Sequence, residues 1–152
     1  MLGLENVLGG SVNLVVGYIL PFVLVLSVVV FVHEFGHFIV GRWCGVDVKI
    51  FSIGFGREIF GFNDRYGTRW RFAWIPLGGY VKFAGDANEA GRPDFDAQSA
   101  MSQAELSRSF PAKNVAQRAA VVAAGPVANF IFAILVFAAM LFINGRQQLT
   151  PR

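Results

Sequence analysis

Apolar residues run almost unbroken through 12–41 and again through 115–143, and the stretch between them is mixed. About 20 apolar residues at about 1.5 Å each suffice to cross the hydrocarbon core of a bilayer. Both runs therefore predict transmembrane helices. The first is interrupted only by Asn13, Ser27, the polar positions of 33–37 and a few small residues. A cleaved signal peptide does not fit, because residues 1–11 carry no Lys or Arg and the run is too long for a leader core. Residues 1–11 are expected as a short external N-terminus. The second run contains Pro126, which membrane helices tolerate because neighbours re-satisfy the freed carbonyl. Ala123, Ala124, Gly125 and Ala128 form a small-residue patch suited to close helix contact.

Between the spans the period changes. Arg69-Trp70-Arg71-Phe72-Ala73-Trp74 alternates large apolar with polar or small residues, the signature of a half-buried strand. Pro76, Gly78 and Gly79 then predict a turn before Tyr80-Val81-Lys82-Phe83, and hence a hairpin. Phe51, Phe55, Phe60 and Phe62 make 42–84 too apolar for a water-exposed loop, so it is expected to pack on the membrane or the helices. Residues 85–114 read as a polar, flexible connector in which Ser102 and Glu105 have capping-box spacing. The fold expected is a membrane protein, helical with a β-hairpin loop: two transmembrane helices joined by a membrane-associated β-rich loop.

Composition sharpens this picture. Hydrophobic residues make up 55% of the chain and charged ones 15%, against about 25% charged in a soluble domain. The missing charges are missing from the two spans. Of the 13 Lys and Arg residues, none precedes the first span, and only Arg146 and Arg152 follow the second. The rest lie between Arg42 and Arg118, which places the loop in the cytosol and both termini, including the tail 144–152, outside. The single cysteine, Cys44, excludes an internal disulfide. No arginine-rich helix or aromatic-basic interleaving points to nucleic acid.

One cluster carries chemistry. His33-Glu34-Phe35-Gly36-His37 has the form H-E-x-x-H, and on a helix positions i and i+4 share a face. Two imidazoles so placed can converge on one zinc ion, and the adjacent glutamate can act as general base on water. A buried glutamate in a membrane helix costs ~2.5–3.5 kcal/mol, so its presence argues for a functional site over simple helix glue or a proton relay. A catalytic zinc site needs a third protein ligand. Cys44 lies about 10 Å further along the helix than His37, and Asp47 lies beyond its end, so neither reaches the metal. A bis-histidine heme is excluded, since i and i+4 of one helix cannot flank a macrocycle.

With these residues in view, the chain resembles the site-2 protease family of intramembrane zinc metalloproteases, in its bacterial regulator-of-sigma-E protease branch. The resemblance rests on Val32-His33-Glu34-Phe35-Gly36-His37-Phe38, Phe51-Ser52-Ile53-Gly54-Phe55-Gly56, and Ile75-Pro76-Leu77-Gly78-Gly79-Tyr80-Val81-Lys82. It continues in Gln117-Arg118-Ala119-Ala120 and Ala124-Gly125-Pro126-Val127-Ala128-Asn129-Phe130. It implies that His33 and His37 bind Zn2+, that Glu34 is the catalytic acid/base, and that Asn129 steadies the substrate or the tetrahedral intermediate. Gly54, Gly56, Gly78 and Gly79 would belong to a β-loop that presents an edge strand to extended substrate. The implied substrates are single-pass membrane proteins such as anti-sigma factors, in the bacterial inner membrane. The family continues into PDZ domains and a third helix whose Leu-Asp-Gly aspartate is the third zinc ligand, and this sequence has no Leu-Asp-Gly. The expectation is therefore an N-terminal portion whose missing part supplies that aspartate. The alternative is a truncated, non-catalytic membrane module that binds substrates or partners without cleaving them.

Overall fold

The computed structural model describes residues 13–88, 92 and 94–145; the expected N-terminal segment 1–11 and the tail beyond 145 lie outside them. Two long helices dominate. The first opens as a π-helical turn, Val15–Ile19, and continues as α1, Leu20–Trp43. Pro21 has no N–H to return to the preceding turn, which accounts for the wider helix there. Gly45 ends α1 at φ +70°, with Cys44 N–H donating to Val40 at 2.9 Å and Val46 N–H to Gly41 at 2.9 Å. A left-handed glycine is what such a helix stop requires.

After α1 come β1 (Val48–Asn63), β2 (Arg69–Phe83), the short helices α2 (Phe95–Ala100) and α3 (Gln103–Ser107), and the long α4 (Val115–Asn144). Asn114 caps α4 and Ser102 caps α3, each in a reciprocal box with Gln117 and Glu105. The 85–114 segment, expected as a polar, flexible connector, holds two short helices. The Ser102–Glu105 spacing marks the start of α3 only. The helical stretches Val15–Trp43 and Val115–Asn144 are each long and apolar enough to span a membrane. Their outer faces leave residues such as Phe22, Leu24, Phe130 and Phe137 exposed. A soluble monomer does not carry apolar surface on that scale.

The hairpin differs from expectation in one respect. Its turn lies at 64–68, and β2 runs straight through Pro76, Gly78 and Gly79. The Asp64 carboxylate accepts from the N–H groups of Tyr66 (2.8 Å) and Thr68 (3.0 Å), and Gly67 sits at φ +84°. Such Asx capping ahead of a left-handed glycine defines the turn more strongly than a proline followed by two glycines. Burial pushes the Asp64 carboxyl up, but the hydrogen bonds from Thr68, Arg42, Tyr66 and Trp70 outweigh it and hold it below the usual range.

The antiparallel hairpin is also folded on itself. Residues 50–53 of β1 face 79–82 of β2 on one side and 69–72 on the other, while 58–63 face 69–73. Gly54 and Gly56, at φ +88° and +86°, make the bend between the halves of β1. Phe51 and Trp70 then pack on Phe31, Phe35 and Phe38 of α1 as a ladder of edge-to-face and tilted rings. Phe51 is fully buried at the centre of this core, with Val81, Phe83 and Val121 around it.

The far half of β2 lies along α1, antiparallel to it. Phe83 packs at Gly41, Gly79 packs at Glu34 and Val30, and Ser27 Oγ donates to the Pro76 carbonyl at 3.1 Å. The fourteen helical steps from Ser27 to Gly41 cover about 21 Å. The seven strand steps from Pro76 to Phe83 cover about 23 Å. The two lengths match, so the strand descends beside the apolar span and carries Trp74 (68% exposed) and Leu77 (56% exposed) to that depth.

Candidate metal centre

The cluster forms where α1 and α4 meet most closely. At Gly36 a side chain would force the helices apart: a Cβ there would lie 2.7 Å from the Ala128 Cβ and 3.0 Å from the Ala124 carbonyl carbon. This approach brings α4 directly over His33 and His37, whose rings stand 4.9 Å apart at 79°. Nδ1 of His37 lies 2.7 Å from the Val121 carbonyl oxygen. A carbonyl only accepts, so Nδ1 carries the proton and Nε2 of the neutral ring is bare.

Both Nε2 atoms converge on Gly125. A Cβ there would come within 2.7 Å of His33 Nε2 and 2.6 Å of His37 Cε1, and would collide with His37 Nε2. Two imidazole nitrogens meeting over one backbone position that has no side chain are a donor set suited to a single zinc ion. Among the described residues no third His, Cys, Asp or Glu joins them. Asp47 is held elsewhere, its N–H donating to the Arg108 carbonyl at 2.9 Å, and Cys44 sits in the turn that closes α1.

Glu34 and His37 open on a cleft of about 350 Å³ walled by Gly79, Tyr80, Val121 and Val122. Gly79 is needed here, since its Cβ would meet the Ser52 oxygen at 2.7 Å and Glu34 Cγ at 3.2 Å. Pro126 has no N–H to return to Val122, so the carbonyl of a cleft residue lacks its helical partner. Asp86, at the end of the cleft, is buried, with Oδ2 accepting from the Phe83 N–H at 3.1 Å. Burial pushes its carboxyl up to about 6, against the opposing pull of that N–H and of Lys82.

Of the site residues read from the sequence, His33, Glu34, His37 and Gly79 stand together. Asn129 lies beside the cluster but outside the Glu34 cleft. Its amide is 3.2 Å from His33 Nδ1, and it borders an apolar cavity of about 460 Å³ with Val25, Val29 and Phe132. Gly78 is packed under the Phe55 ring, and Gly54 and Gly56 shape the bend of β1 rather than the cleft. Asp86, Val121 and Gly125 are site residues that sequence reasoning missed as such. Val121 acts through its main chain, and Gly125 read only as part of a packing patch.

A sequence model described as "Peptidase family M50" matches residues 21–150. The protein named "Putative zinc metalloprotease Atu1380" of Agrobacterium fabrum is 51% identical over 146 residues, covering 96% of this chain and 39% of its own length. "Metalloprotease MmpA" of Caulobacter vibrioides is 49% identical over 82% of this chain and 33% of its own length. "Regulator of sigma-E protease RseP" of Salmonella typhimurium is 49% identical over 86% of this chain and 26% of its own length. The chain thus spans about two fifths or less of the length of these relatives.

Proposed function

The chain belongs to peptidase family M50, the site-2 proteases, and from that premise we propose that it builds the His-Glu-His part of the catalytic centre of a zinc-dependent intramembrane endopeptidase. The observation that carries this reading is the convergence of His33 Nε2 and His37 Nε2 over Gly125, with Glu34 opening on the adjoining cleft. When bound there, zinc supplies the Lewis acidity that polarises a peptide carbonyl and makes water acidic near neutral pH. Glu34 takes the proton from the attacking water and delivers it to the leaving amine. The third ligand is an aspartate from the remainder of the protein.

The substrate is a single-pass membrane protein, of the anti-sigma-factor type that the Salmonella relative's name suggests. A helical substrate must unwind before its amides can be attacked, and β2 provides for the unwound segment. Among the described residues, the 75–83 half of β2 pairs only with β1. Its other edge carries no further strand among the described residues, and backbone groups at membrane depth are costly unless a strand, side chain or water satisfies them. A substrate strand added there is held beside Glu34. In this reading the loop is cytosolic, the two spans cross the bacterial inner membrane, and both termini face outward.

The test is Glu34→Gln in the full-length protein, expressed with a membrane-anchored reporter. Reporter cleavage should fall by about 10²–10⁴-fold, the usual contribution of a general base, while zinc stays bound. Unchanged cleavage would overturn the proposal. Stoichiometric binding of the reporter with no cleavage even by the wild type would favour the non-catalytic module.

A further inference from the structure

We infer that Asn129 is a positioning residue for His33: its side-chain carbonyl holds the Nδ1–H of His33 as the Val121 main-chain carbonyl holds that of His37. The inference rests on the zinc reading of the cluster and specifies how α4 serves it.

Val121, Gly125 and Asn129 are spaced by four, so they form one stripe of α4 facing α1. In a helix, carbonyls point toward the C-terminus and side chains lean toward the N-terminus. The Val121 oxygen and the Asn129 amide therefore close on the level of Gly125 from opposite ends. They reach the outer nitrogens of the two imidazoles at 2.7 Å (His37) and 3.2 Å (His33). The inner nitrogens both face Gly125. One stripe thus anchors both rings and clears the space between them.

The amide's orientation follows from metal chemistry. His33 can present a bare Nε2 only if its Nδ1 carries the proton, and that proton needs an acceptor. The Asn129 amide is the one polar group recorded within hydrogen-bond distance of His33 Nδ1 among the described residues. With Nδ2 turned toward His33 the ring proton is displaced to Nε2, and the donor set is broken. A half-turn about χ2 brings Oδ1 to the same place. That turn sacrifices no other bond, since Oδ1 is buried with no partner. Ligand binding thereby selects one amide orientation and one tautomer together.

The experiment measures zinc affinity of the purified full-length protein by chelator competition, alongside cleavage of an anchored reporter. Asn129→Leu removes the acceptor at similar size and should weaken zinc about 10–100-fold, the usual effect of losing an outer-shell partner. Asn129→Asp supplies a stronger acceptor and should tighten zinc several-fold. Wild-type zinc affinity in Asn129→Leu, with cleavage lost, would overturn the inference and assign Asn129 to substrate instead. If the leucine variant does not fold, unchanged or weaker zinc binding in Asn129→Asp overturns it equally. Absence of stoichiometric zinc in the wild type would overturn the metal reading itself.

Discussion

Gly125 of α4 and His37 of α1 lie so close that even a methyl group could not fit between them: a Cβ on the glycine would stand 2.6 Å from His37 Cε1. The same atom would stand 2.7 Å from His33 Nε2. Gly125→Ala must therefore either push the helices apart or turn both imidazoles off their common point. Overpacking of this kind costs about 1–3 kcal/mol. We predict at least about a tenfold loss of zinc affinity, comparable to the loss of an outer-shell partner. Chelator competition on the full-length protein measures it, and wild-type affinity in the alanine variant would contradict the geometry.

Gly36 governs the approach of the helices themselves. Its Cβ would sit 2.7 Å from the Ala128 Cβ, so Gly36→Ala is expected to destabilise the helix pair by about 1–3 kcal/mol. Ala128→Gly should recover only part of that, because the Ala124 carbonyl also stands in the way. A double-mutant cycle in detergent unfolding reads the coupling. Additive losses would show that the two positions do not meet.

Asp86 predicts a pH dependence outside the spans. Burial raises its folded-state value to about 6 from an ordinary 3.8. The folded chain then binds more protons than the unfolded one between those values. Stability falls as pH rises through that window and stays lower above it. Asp86→Asn keeps an acceptor for the Phe83 N–H and cannot ionise. It should exceed the wild type by on the order of 1–3 kcal/mol at pH 8, at 1.36 kcal/mol per pH unit, with the gap shrinking toward pH 4. A gap independent of pH would remove ionisation as its cause.

The depth of β2 can be read by labelling. In a Cys44→Ser background, Leu77→Cys should resist a membrane-impermeant maleimide from either side. Tyr66→Cys, at the exposed turn, should react only from the cytosolic face. Labelling of Leu77→Cys in intact vesicles would place the strand in water.

Much of this architecture is legible along the chain, because its signals are local. Thirty apolar residues announce a span wherever they occur, and Asn114 with Gln117 starts α4 by a hydrogen-bond exchange within one turn. The fold of the hairpin was less legible. Pro76-Leu77-Gly78-Gly79 looks like a turn, yet these residues continue a strand. Gly78 and Gly79 give room to the Phe55 ring and to the Ser52 carbonyl and Glu34, neighbours that only the folded chain supplies.

The same division runs through the candidate site. By itself the sequence determined that two histidines and a glutamate share a helix within an apolar span, since the 3.6-residue repeat leaves no other outcome for i and i+4. Only the tertiary structure decided what stands opposite them: a main-chain carbonyl of Val121, a missing side chain at Gly125 and the amide of Asn129. Every residue has a carbonyl, and a small residue fits any close helix contact, so neither marks itself in a sequence. Their roles come from the register in which α4 lies across α1, and side chains remote in the chain set that register.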